Sequence, residues 1–327
     1  MLESVKIRQK TVKKIVDFLK DKNQFLLTAH LNADGDAIAA VIAMGLCLDK
    51  WHKKYYMILN DTNLDTRFDY LKNFDKIISY DPTLHLPIEA AVVLDVPGKQ
   101  RLGKVARLLP AKSQTVKIDH HPVEDDFATL NLVYESASSA TQLVYDVIEE
   151  AGVELDLPMA EAVYTGIVYD TGRFSFSNTT ARDLMICSKM IDIGVDPAKL
   201  TSRIFFESSF ESIRTIGKGL ASMENYLDGL VNVIYLDHST MRQNHQGEIE
   251  ELANYSVGIR GGIVGVFIRE LRPRFHKISL RAKEDVDVNR IARAFDGGGH
   301  KRAAGCRIEG SKSQVIKKLL AEIKKQL

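Results

Sequence analysis

Short apolar runs alternate with helical patterns along the first two thirds of the chain. Gln24–His30 is an apolar run of strand length, and Asp36–Leu48 follows it with small and apolar residues at helical spacing. Strands that alternate with helices are typical of a parallel sheet covered on both faces, so we predict an α/β fold. The other strands predicted here are Glu89–Asp95 and Thr115–Asp119, and the helices are Thr11–Lys20, Ser139–Ala151, Pro158–Tyr169 and Thr180–Ile193.

The last third of the chain predicts a second, smaller α/β unit. Its strands are Gly229–Asp237, Ile263–Glu270 and Lys277–Arg281, and its helices are Val286–Phe295 and Ser311–Gln326. A length of 327 residues also exceeds one ordinary core. We expect domains at residues 1–205 and 229–327, joined by a connecting helix or linker at 206–228 that includes a helical pattern over Phe210–Asn225.

Composition narrows the function classes. The three cysteines, Cys47, Cys187 and Cys306, are far apart and form no CxxC pair, which argues against a disulfide framework or a cysteine zinc site. No apolar signal core or membrane-spanning run is evident, so we expect a cytoplasmic protein. Residues 226–327 carry 18 Lys and Arg against 12 Asp and Glu, and residues 1–225 carry a net charge of −5. An acidic half beside a basic half suits a cation site in one and an anion-binding surface in the other.

Polar clusters follow three predicted strands at their carboxyl ends, where open parallel sheets gather their active sites. They are His30, Asp34 and Asp36 after the first strand, Asp95 after the second, and Asp119, His120 and His121 after the third. A fourth cluster, with Asp170, lies at the end of a predicted helix. Each cluster alone has an ordinary explanation: a helix cap at Asp34 or Asp36, a loop cap at Asp95, an exposed histidine pair, or a helix stop at Gly172.

Together, these clusters point to a metal centre. Two histidines and four aspartates from four segments offer imidazole and carboxylate ligands without a thiolate. That set suits two divalent cations, Mn²⁺ or alternatively Mg²⁺, better than a closed structural zinc site. Two such ions about 3.5–4 Å apart can activate water and stabilise a phosphoryl group during in-line attack.

These four ordered motifs resemble those of the DHH phosphoesterase family, and Gly297-Gly-Gly-His-Lys-Arg-Ala-Ala-Gly305 resembles the signature of the DHHA1 domain. The resemblance covers residues 20–327 and implies a DHH domain with a parallel sheet, followed by a DHHA1 domain. The length and short connection resemble the nanoRNase branch, which degrades very short RNA and in many members dephosphorylates 3′-phosphoadenosine 5′-phosphate. Longer single-strand DNA exonucleases and membrane-bound cyclic-dinucleotide enzymes of the superfamily carry segments that this chain lacks.

The resemblance also implies roles for individual residues. His30 and Asp34 would hold one ion, Asp36, His120 and Asp170 the other, and Asp95 both. His121 matches the position that contacts the scissile phosphate, as hydrogen-bond donor or general acid. Asp119 would orient a histidine.

In the second domain, three glycines and a cationic run predict a phosphate-binding segment. Gly297, Gly298 and Gly299 would let backbone amides approach an anion, with His300, Lys301 and Arg302 adding charge or hydrogen bonds. The alternative is a glycine-rich turn with solvated cations. Four arginines on or beside two predicted strands form either an exposed strand face or a phosphate-reading surface: Arg269, Arg272, Arg274 and Arg281. Arg269 and Arg281 also resemble substrate-contact positions of the family. Tyr255 and Phe275 could stack on a base or simply pack.

We therefore expect an enzyme that hydrolyses short oligoribonucleotides to mononucleotides. The partners expected are short RNA or a small nucleotide, with no membrane and no obligate protein partner, while a homodimer is allowed. The alternatives are a soluble cyclic-di-AMP or pApA phosphodiesterase, an RNA-binding module without turnover, and, from the N-terminal motifs alone, an exopolyphosphatase or pyrophosphatase.

Overall fold

The computed structural model describes residues 2–241, 249–283 and 285–327. The chain divides into two compact units, residues 1–207 and 208–327. In the first unit the elements are α1 Leu2–Asp21, β1 Gln24–Thr28, α2 Gly35–Lys50, β2 Lys54–Leu59, β3 Ile77–Ser79, β4 Ala90–Leu94, β5 Thr115–Asp119, β6 Leu130–Val133, α3 Ala140–Glu150, α4 Leu157–Asp170, α5 Ala181–Ile193 and α6 Pro197–Phe205, with short 3₁₀ helices at Thr66–Phe68, Phe74–Lys76, Lys99–Leu108 and Lys112–Gln114.

The strands of the first unit form one parallel sheet in the order β3-β2-β1-β4-β5-β6. The α/β fold predicted from the alternation of apolar runs is therefore confirmed. The strand order reverses between β1 and β4, and open sheets of this kind bind ligands beyond the carboxyl ends of the strands at such a reversal. His30 lies just after β1 and Asp95 directly after β4, so the topology itself brings these two segments together.

The core of the first unit is built around α2. This helix is apolar on nearly every side and buried from Gly35 to Leu48, as expected of a helix packed between a sheet and other helices. Small residues allow its close approach to α4: a Cβ on Gly35 would lie 2.6 Å from the Tyr169 ring. Tight packing fixes the first turn of α2, which carries Asp36, against α3 and α4.

The second unit holds a mixed sheet in the order β11-β12-β10-β9-β8-β7. Its strands β8 and β9 pair in parallel, and the other neighbours are antiparallel. The elements are α7 Phe210–Ala221, β7 Glu224–Tyr226, β8 Val231–Leu236, α8 His238–Met241, α9 Leu252–Val257, β9 Val264–Arg272, β10 Phe275–Ala282, α10 Val288–Arg293, β11 Gly298–Gly299, β12 Ala303–Glu309 and α11 Lys312–Ile323.

Several elements differ from the sequence-based prediction. The helix predicted over Phe210–Asn225 ends at Ala221, and its last residues enter the edge strand β7. The edge strands β3 and β6 have three and four residues, too few for a periodic pattern to develop. The segment Gly298–Gly299 is a strand because it pairs with Gly305 and Ala304 of β12, a contact that no local pattern reveals.

Candidate metal centre

The segment after β1 carries His30 and Asp34. His30 Nδ1 lies 2.9 Å from the carbonyl oxygen of Leu31, so a proton on Nδ1 leaves the lone pair of Nε2 directed toward carboxylates. Asp34 is the N-cap of α2, and its Oδ1 accepts hydrogen bonds from the amides of Asp36 and Ala37 at 3.1 and 3.2 Å. Asp34 is therefore a helix cap. It also lies beside His30, because its Oδ1 is 3.9 Å from His30 Nε2.

Asp36 reaches the cluster from the first turn of α2 and is only 1% exposed. Its carboxylate accepts hydrogen bonds from the amides of Ala140 and Thr141 at 2.7 and 3.0 Å. These amides belong to the first turn of α3, where they have no partner within the helix and the helix dipole favours a negative charge. The start of α3 therefore fixes the orientation of this buried carboxylate.

Asp95 stands between the other clusters. Its φ of 58° lies in the left-handed region that residues other than glycine seldom adopt, and such strain is concentrated at functional sites. Asp95 Oδ2 is 3.2 Å from His30 Nε2. Its Oδ1 is 3.4 Å from His120 Nε2 and 3.3 Å from His121 Nδ1. The two oxygens of one carboxylate thus face different histidines.

Asp119 and the two histidines after it have distinct geometries. Asp119 is fully buried, and its Oδ1 lies 2.9 Å from Nδ1 of His121 and accepts a hydrogen bond from the His121 amide at 3.2 Å. Asp119 therefore orients His121. His120 directs Nε2 toward Asp170 Oδ2 at 3.3 Å instead. Adjacent residues in the sequence thus serve different parts of the cluster.

Asp170 is the last residue of α4, and a strained turn follows it. Gly172, Arg173 and Phe174 have φ values of 53°, 62° and 61°, and two of these three residues carry side chains that disfavour such values. Asn178 donates a hydrogen bond to the carbonyl oxygen of Asp170 at 3.0 Å. The helix stop anticipated at Gly172 is present, and it presents Asp170 to His120.

The predicted ligands of the first unit all come together. Their ligand atoms form two groups, each with all its atoms within 4.8 Å of one another: His30, Asp34 and Asp95; and Asp36, His120 and Asp170. Asp119 and His121, which were predicted as catalytic residues, form a further such group with Asp95. Carboxylate and imidazole donors without sulfur suit hard divalent cations such as Mn²⁺ and Mg²⁺. Asp119 Oδ2 is also buried without a hydrogen-bond partner among the described residues. The residues present therefore fit a metal centre.

Electrostatics in the cluster favour added positive charge. Burial raises the pKa of Asp170 to about 7, although His120 opposes the shift. Burial, together with the charges of Asp95 and Asp170, raises the pKa of Asp36 well above its usual range. Burial disfavours ionisation of Asp95 too, but hydrogen bonds from His120, His121 and His30 outweigh it and hold the pKa of Asp95 well below its usual range.

The imidazoles respond in the opposite direction. Burial lowers the pKa of His30, but its contacts with Asp95 and Asp34 outweigh burial and raise the pKa to about 9. Burial likewise lowers the pKa of His121, whereas hydrogen bonds to Asp119 and Asp95 raise it to about 10. The buried carboxylates and imidazoles therefore stabilise positive charge on one another, and a bound cation would compete with protons for the same ligand atoms.

The predicted phosphate-binding segment lies at the edge of the second sheet. A Cβ on Gly297 would meet the carbonyl oxygen of Gly305 at 2.2 Å, and Gly299 has a φ of 145°. Strand packing therefore requires glycine at both positions. A Cβ on Gly298 would instead meet nothing nearer than Asn289 Oδ1, at 3.9 Å. Gly298 is thus the open member of the three.

The residues after this strand turn back toward β12. The His300 amide donates to the Ala303 carbonyl at 2.7 Å, and the Ala303 amide donates in return at 3.2 Å. Lys301 is 54% exposed and its Nζ lies 3.5 Å from Asp285. A glycine-rich turn and a phosphate-binding segment are both compatible with this geometry.

Arg269 and Arg281 occupy different environments. Arg269, on β9, is 1% exposed, and its Nη2 lies 2.5 Å from Glu250 Oε2. Arg281, on β10, is half-buried and donates from Nε to Asn254 Oδ1 at 3.1 Å. Burial raises the pKa of Glu250, but the charge of Arg269 outweighs it and lowers the pKa to about 2. The ion pair with Glu250 therefore gives Arg269 a structural role that does not depend on substrate binding.

Asp61 is a residue of the site that the sequence motifs did not identify. It follows β2, and its two carboxylate oxygens accept hydrogen bonds from the amides of Asn32 and Ala33 at 3.0 and 3.2 Å. Those amides lie between His30 and Asp34 in the sequence. The sequence does contain a signal for Asp61, since a carboxylate shortly after a strand is a candidate site residue. That signal could not be used here, because β2 was not among the predicted strands.

Comparison with known proteins agrees with the geometry. Residues 24–167 match the model of the DHH family, N-terminal domain, and residues 231–327 match the DHHA1 domain.

The chain belongs to the DHH family.

A relative from Thermus thermophilus, named bifunctional oligoribonuclease and PAP phosphatase NrnA, is 30% identical over 92% of this chain and 89% of its own length. A protein of the same name from Bacillus subtilis is 31% identical over 66% of this chain and 69% of its own. The solved structure of an exopolyphosphatase-related protein from Bacteroides fragilis aligns with a TM-score of 0.89 at 23% identity, covering 97% of this chain and 96% of that one. This last likeness concerns the fold.

Within the described residues, no helix combines the length and apolar character needed to cross a membrane.

Proposed function

We propose that this protein is a divalent-metal-dependent phosphodiesterase that hydrolyses short oligoribonucleotides to mononucleotides and also dephosphorylates 3′-phosphoadenosine 5′-phosphate. The observation that carries the proposal is the position of Asp95, with one oxygen toward His30 and the other toward His120 and His121. The substrate class is supported by relatives named bifunctional oligoribonuclease and PAP phosphatase.

Two ions, Mn²⁺ in preference to Mg²⁺, would be held by the groups described above. His30 and Asp34 would hold one ion, Asp36, His120 and Asp170 the other, and Asp95 both. The donor atoms of each group already lie within 4.8 Å of one another. When bound, such ions supply electrostatic stabilisation of phosphoryl oxygens and activation of water.

The protein's own groups would orient the substrate and transfer a proton. His121 Nδ1 is directed to Asp119 at 2.9 Å, so a proton given to the leaving oxygen would come from Nε2. Asp119 fixes the ring and stabilises its protonated form, as a buried carboxylate behind an imidazole does in other hydrolases. His121 would therefore act as general acid, with Asp119 as its positioning partner.

The second unit would bind the nucleotide. Residues 226–327 carry a net charge of +6, and the open Gly298 with His300 and Lys301 offers amide, imidazole and ammonium donors to a phosphate. Arg281 would be the more accessible of the two arginines, because Arg269 is buried against Glu250.

A turnover panel tests this function. The substrates are a dinucleotide, a five-mer and a twenty-mer RNA, 3′-phosphoadenosine 5′-phosphate, cyclic-di-AMP and pyrophosphate, each with Mn²⁺, with Mg²⁺ and with a chelator. We expect metal-dependent release of mononucleotides from the two shortest RNAs and loss of the 3′-phosphate from 3′-phosphoadenosine 5′-phosphate. Turnover of cyclic-di-AMP or pyrophosphate in preference to the RNAs would contradict the substrate assignment, and RNA binding without turnover would contradict an enzyme.

A further inference from the structure

Asp183, near the start of α5, is a fully buried carboxylate that the proposed mechanism does not use. Its Oδ2 accepts hydrogen bonds from the amide and the hydroxyl of Thr180, both at 2.7 Å, which completes the capping box of α5. Its Oδ1 accepts hydrogen bonds from Ser138 Oγ and Gln142 Nε2, both at 2.5 Å. These donors fill roughly the four lone-pair sites of a carboxylate, and two of them come from the segment at the start of α3.

The contacts of Asp183 with that segment lie on either side of the turn that binds Asp36. The amides of Ala140 and Thr141 donate to the Asp36 carboxylate at 2.7 and 3.0 Å, and the two side chains bound by Asp183 precede and follow them in the sequence. A capping box needs only contacts within its own helix, so the bonds to α3 exceed what α5 requires. Asp183 therefore fixes the first turn of α3, and through it the orientation of Asp36.

Asn178, five residues before Asp183, connects the same turn to Asp170. Its Nδ2 donates to the carbonyl oxygens of Ser138 and Asp170, both at 3.0 Å. Its Oδ1 is buried without a hydrogen-bond partner among the described residues, although an unpaired buried acceptor is costly. The opposite orientation of the amide would direct Oδ1 at two carbonyl oxygens, which would repel it. Asn178 therefore ties the end of α4 to the start of α3.

Two predicted metal ligands, Asp36 and Asp170, depend on this short segment. Both belong to the group that also contains His120. The other group is held in a different way, because Asp61 binds the loop after β1 that carries two of its members. The two metal groups are therefore organised by separate parts of the first unit.

Given two bound ions, as in the proposed function, we propose that Asn178 and Asp183 are positioning residues for the group of Asp36, His120 and Asp170. They act through the ligands rather than on the ion, and they set the affinity of this ion independently of the other. Partners of metal ligands contribute roughly 10–100-fold to metal affinity. Loss of either side chain should therefore weaken one ion by about that factor and leave the second nearly unchanged.

Calorimetric titration of the full chain with Mn²⁺, in the absence of substrate, tests this selectivity. Asn178→Ala removes the donor to both carbonyl oxygens, and Asp183→Asn replaces one acceptor oxygen with an NH₂ group that faces other donors. We expect two equivalents in the unmodified chain and one of them weakened about 10–100-fold in each variant. Electron paramagnetic resonance distinguishes a coupled pair of Mn²⁺ ions from a lone ion, so at limiting metal the variants should give the lone-ion spectrum.

Asp156→Asn is the matched control, since Asp156 also caps a helix and lies at the opposite end of α4 from Asp170. It should leave both equivalents unchanged. A double variant identifies the weakened ion: Asp170→Asn should lose that equivalent by itself, and Asn178→Ala added to it should weaken the remaining ion no further. Circular dichroism checks that each variant folds. Asn178→Ala carries the test alone if Asp183→Asn does not fold, because Asn178 is only half-buried.

Equal weakening of both equivalents in a folded Asn178→Ala chain, or weakening of neither, overturns the positioning role. An added loss in the double variant overturns it as well, because the affected ion would then be the one held by the other group. A single equivalent in the unmodified chain would contradict the two-ion function itself and the positioning role with it. A wrong substrate assignment would change none of these results, since the titration contains no substrate.

Discussion

At the scale of single residues, Asp95 combines a strained backbone, burial and contacts with three histidines. Its φ of 58° is a conformation that costs on the order of 1–3 kcal/mol, and the surrounding structure sustains it. Since β4 ends at Leu94, the strain places the carboxylate between His30 on one side and His120 on the other. The geometry is therefore consistent with one side chain serving two cations.

The first prediction concerns Asp95. Asp95→Asn removes a negative charge at the point where two cations would repel each other, so turnover should fall by more than the roughly 10–100-fold that is typical when only a partner of a metal ligand is lost. The fold should be retained, because the amide has the same shape. Activity assays, metal analysis and circular dichroism measure these quantities. Asp126→Asn, at a surface ion pair with Lys112, is the control. Near-normal turnover of a folded Asp95→Asn protein would rule out the dinuclear assignment.

The second prediction separates the two adjacent histidines. His121→Ala should lower kcat by on the order of 10²–10⁴-fold, the range for loss of a general acid, and leave the bound metal nearly unchanged. His120→Ala should lose metal, because its Nε2 faces Asp95 and Asp170. Metal content by mass spectrometry and single-turnover kinetics distinguish the two effects. A His121→Ala protein that loses one equivalent of metal would make His121 a ligand instead.

At the scale of secondary-structure elements, the site depends on contacts between segments that are distant in sequence. The start of α3 binds the carboxylate of Asp36, and the end of β2 binds the loop between His30 and Asp34 through Asp61. These contacts fix side chains before any cation binds. Partners of metal ligands typically contribute 10–100-fold to metal affinity.

The third prediction concerns Asp61. Asp61→Ala removes both acceptors of the Asn32 and Ala33 amides, so the loop that carries His30 and Asp34 becomes less ordered. Metal affinity should fall by about 10–100-fold, and excess Mn²⁺ should restore most of kcat. Titration calorimetry and activity against metal concentration provide the measurements.

Asp81→Ala is the control for Asp61, because Asp81 makes a similar contact with the Thr83 amide in a surface turn. It should leave metal affinity unchanged. If Asp61→Ala and Asp81→Ala have equal effects, or if excess metal restores nothing, Asp61 does not position the ligands.

At the scale of the whole molecule, chemistry and charge are distributed unequally between the two units. The predicted ligands belong to the first unit, which carries the acidic excess, while the second is basic and contains the glycine segment. Such a division lets water activation and nucleotide binding depend on different sets of residues. It can therefore be tested by damaging one function and measuring both.

The fourth prediction follows from that division. His300→Ala should raise KM for a dinucleotide and weaken its discrimination from a twenty-mer, while metal content and hydrolysis of a small nitrophenyl phosphodiester remain nearly unchanged. Removal of uniform binding raises KM without lowering kcat. Steady-state kinetics on the three substrates provide the test. An equal loss of activity on all three, or no loss on any, would contradict separate roles for the two units.

The sequence by itself determined the α/β class and the candidate ligands of the first unit. Both depend on local signals: apolar runs of strand length, and rare combinations of aspartate and histidine directly after them. The reversal of strand order beside β1 was established only by the structure, but open parallel sheets in general gather their active sites beyond the carboxyl ends of the strands. His30, Asp95 and His120 could therefore be assigned to one site before any distance was known.

Only the tertiary structure decided which groups hold those ligands in place. Asp61 and the amides of Ala140 and Thr141 act across 28 to 105 residues of sequence, and nothing local distinguishes them from other loop and helix residues. Local sequence also does not reveal why glycine is required at Gly297 and Gly299, where β12 approaches closely or the φ is positive. Nor does it reveal that Arg269 is buried in an ion pair with Glu250. Periodicity records which face of an element is apolar, whereas these contacts depend on which elements become neighbours when that apolar surface is buried.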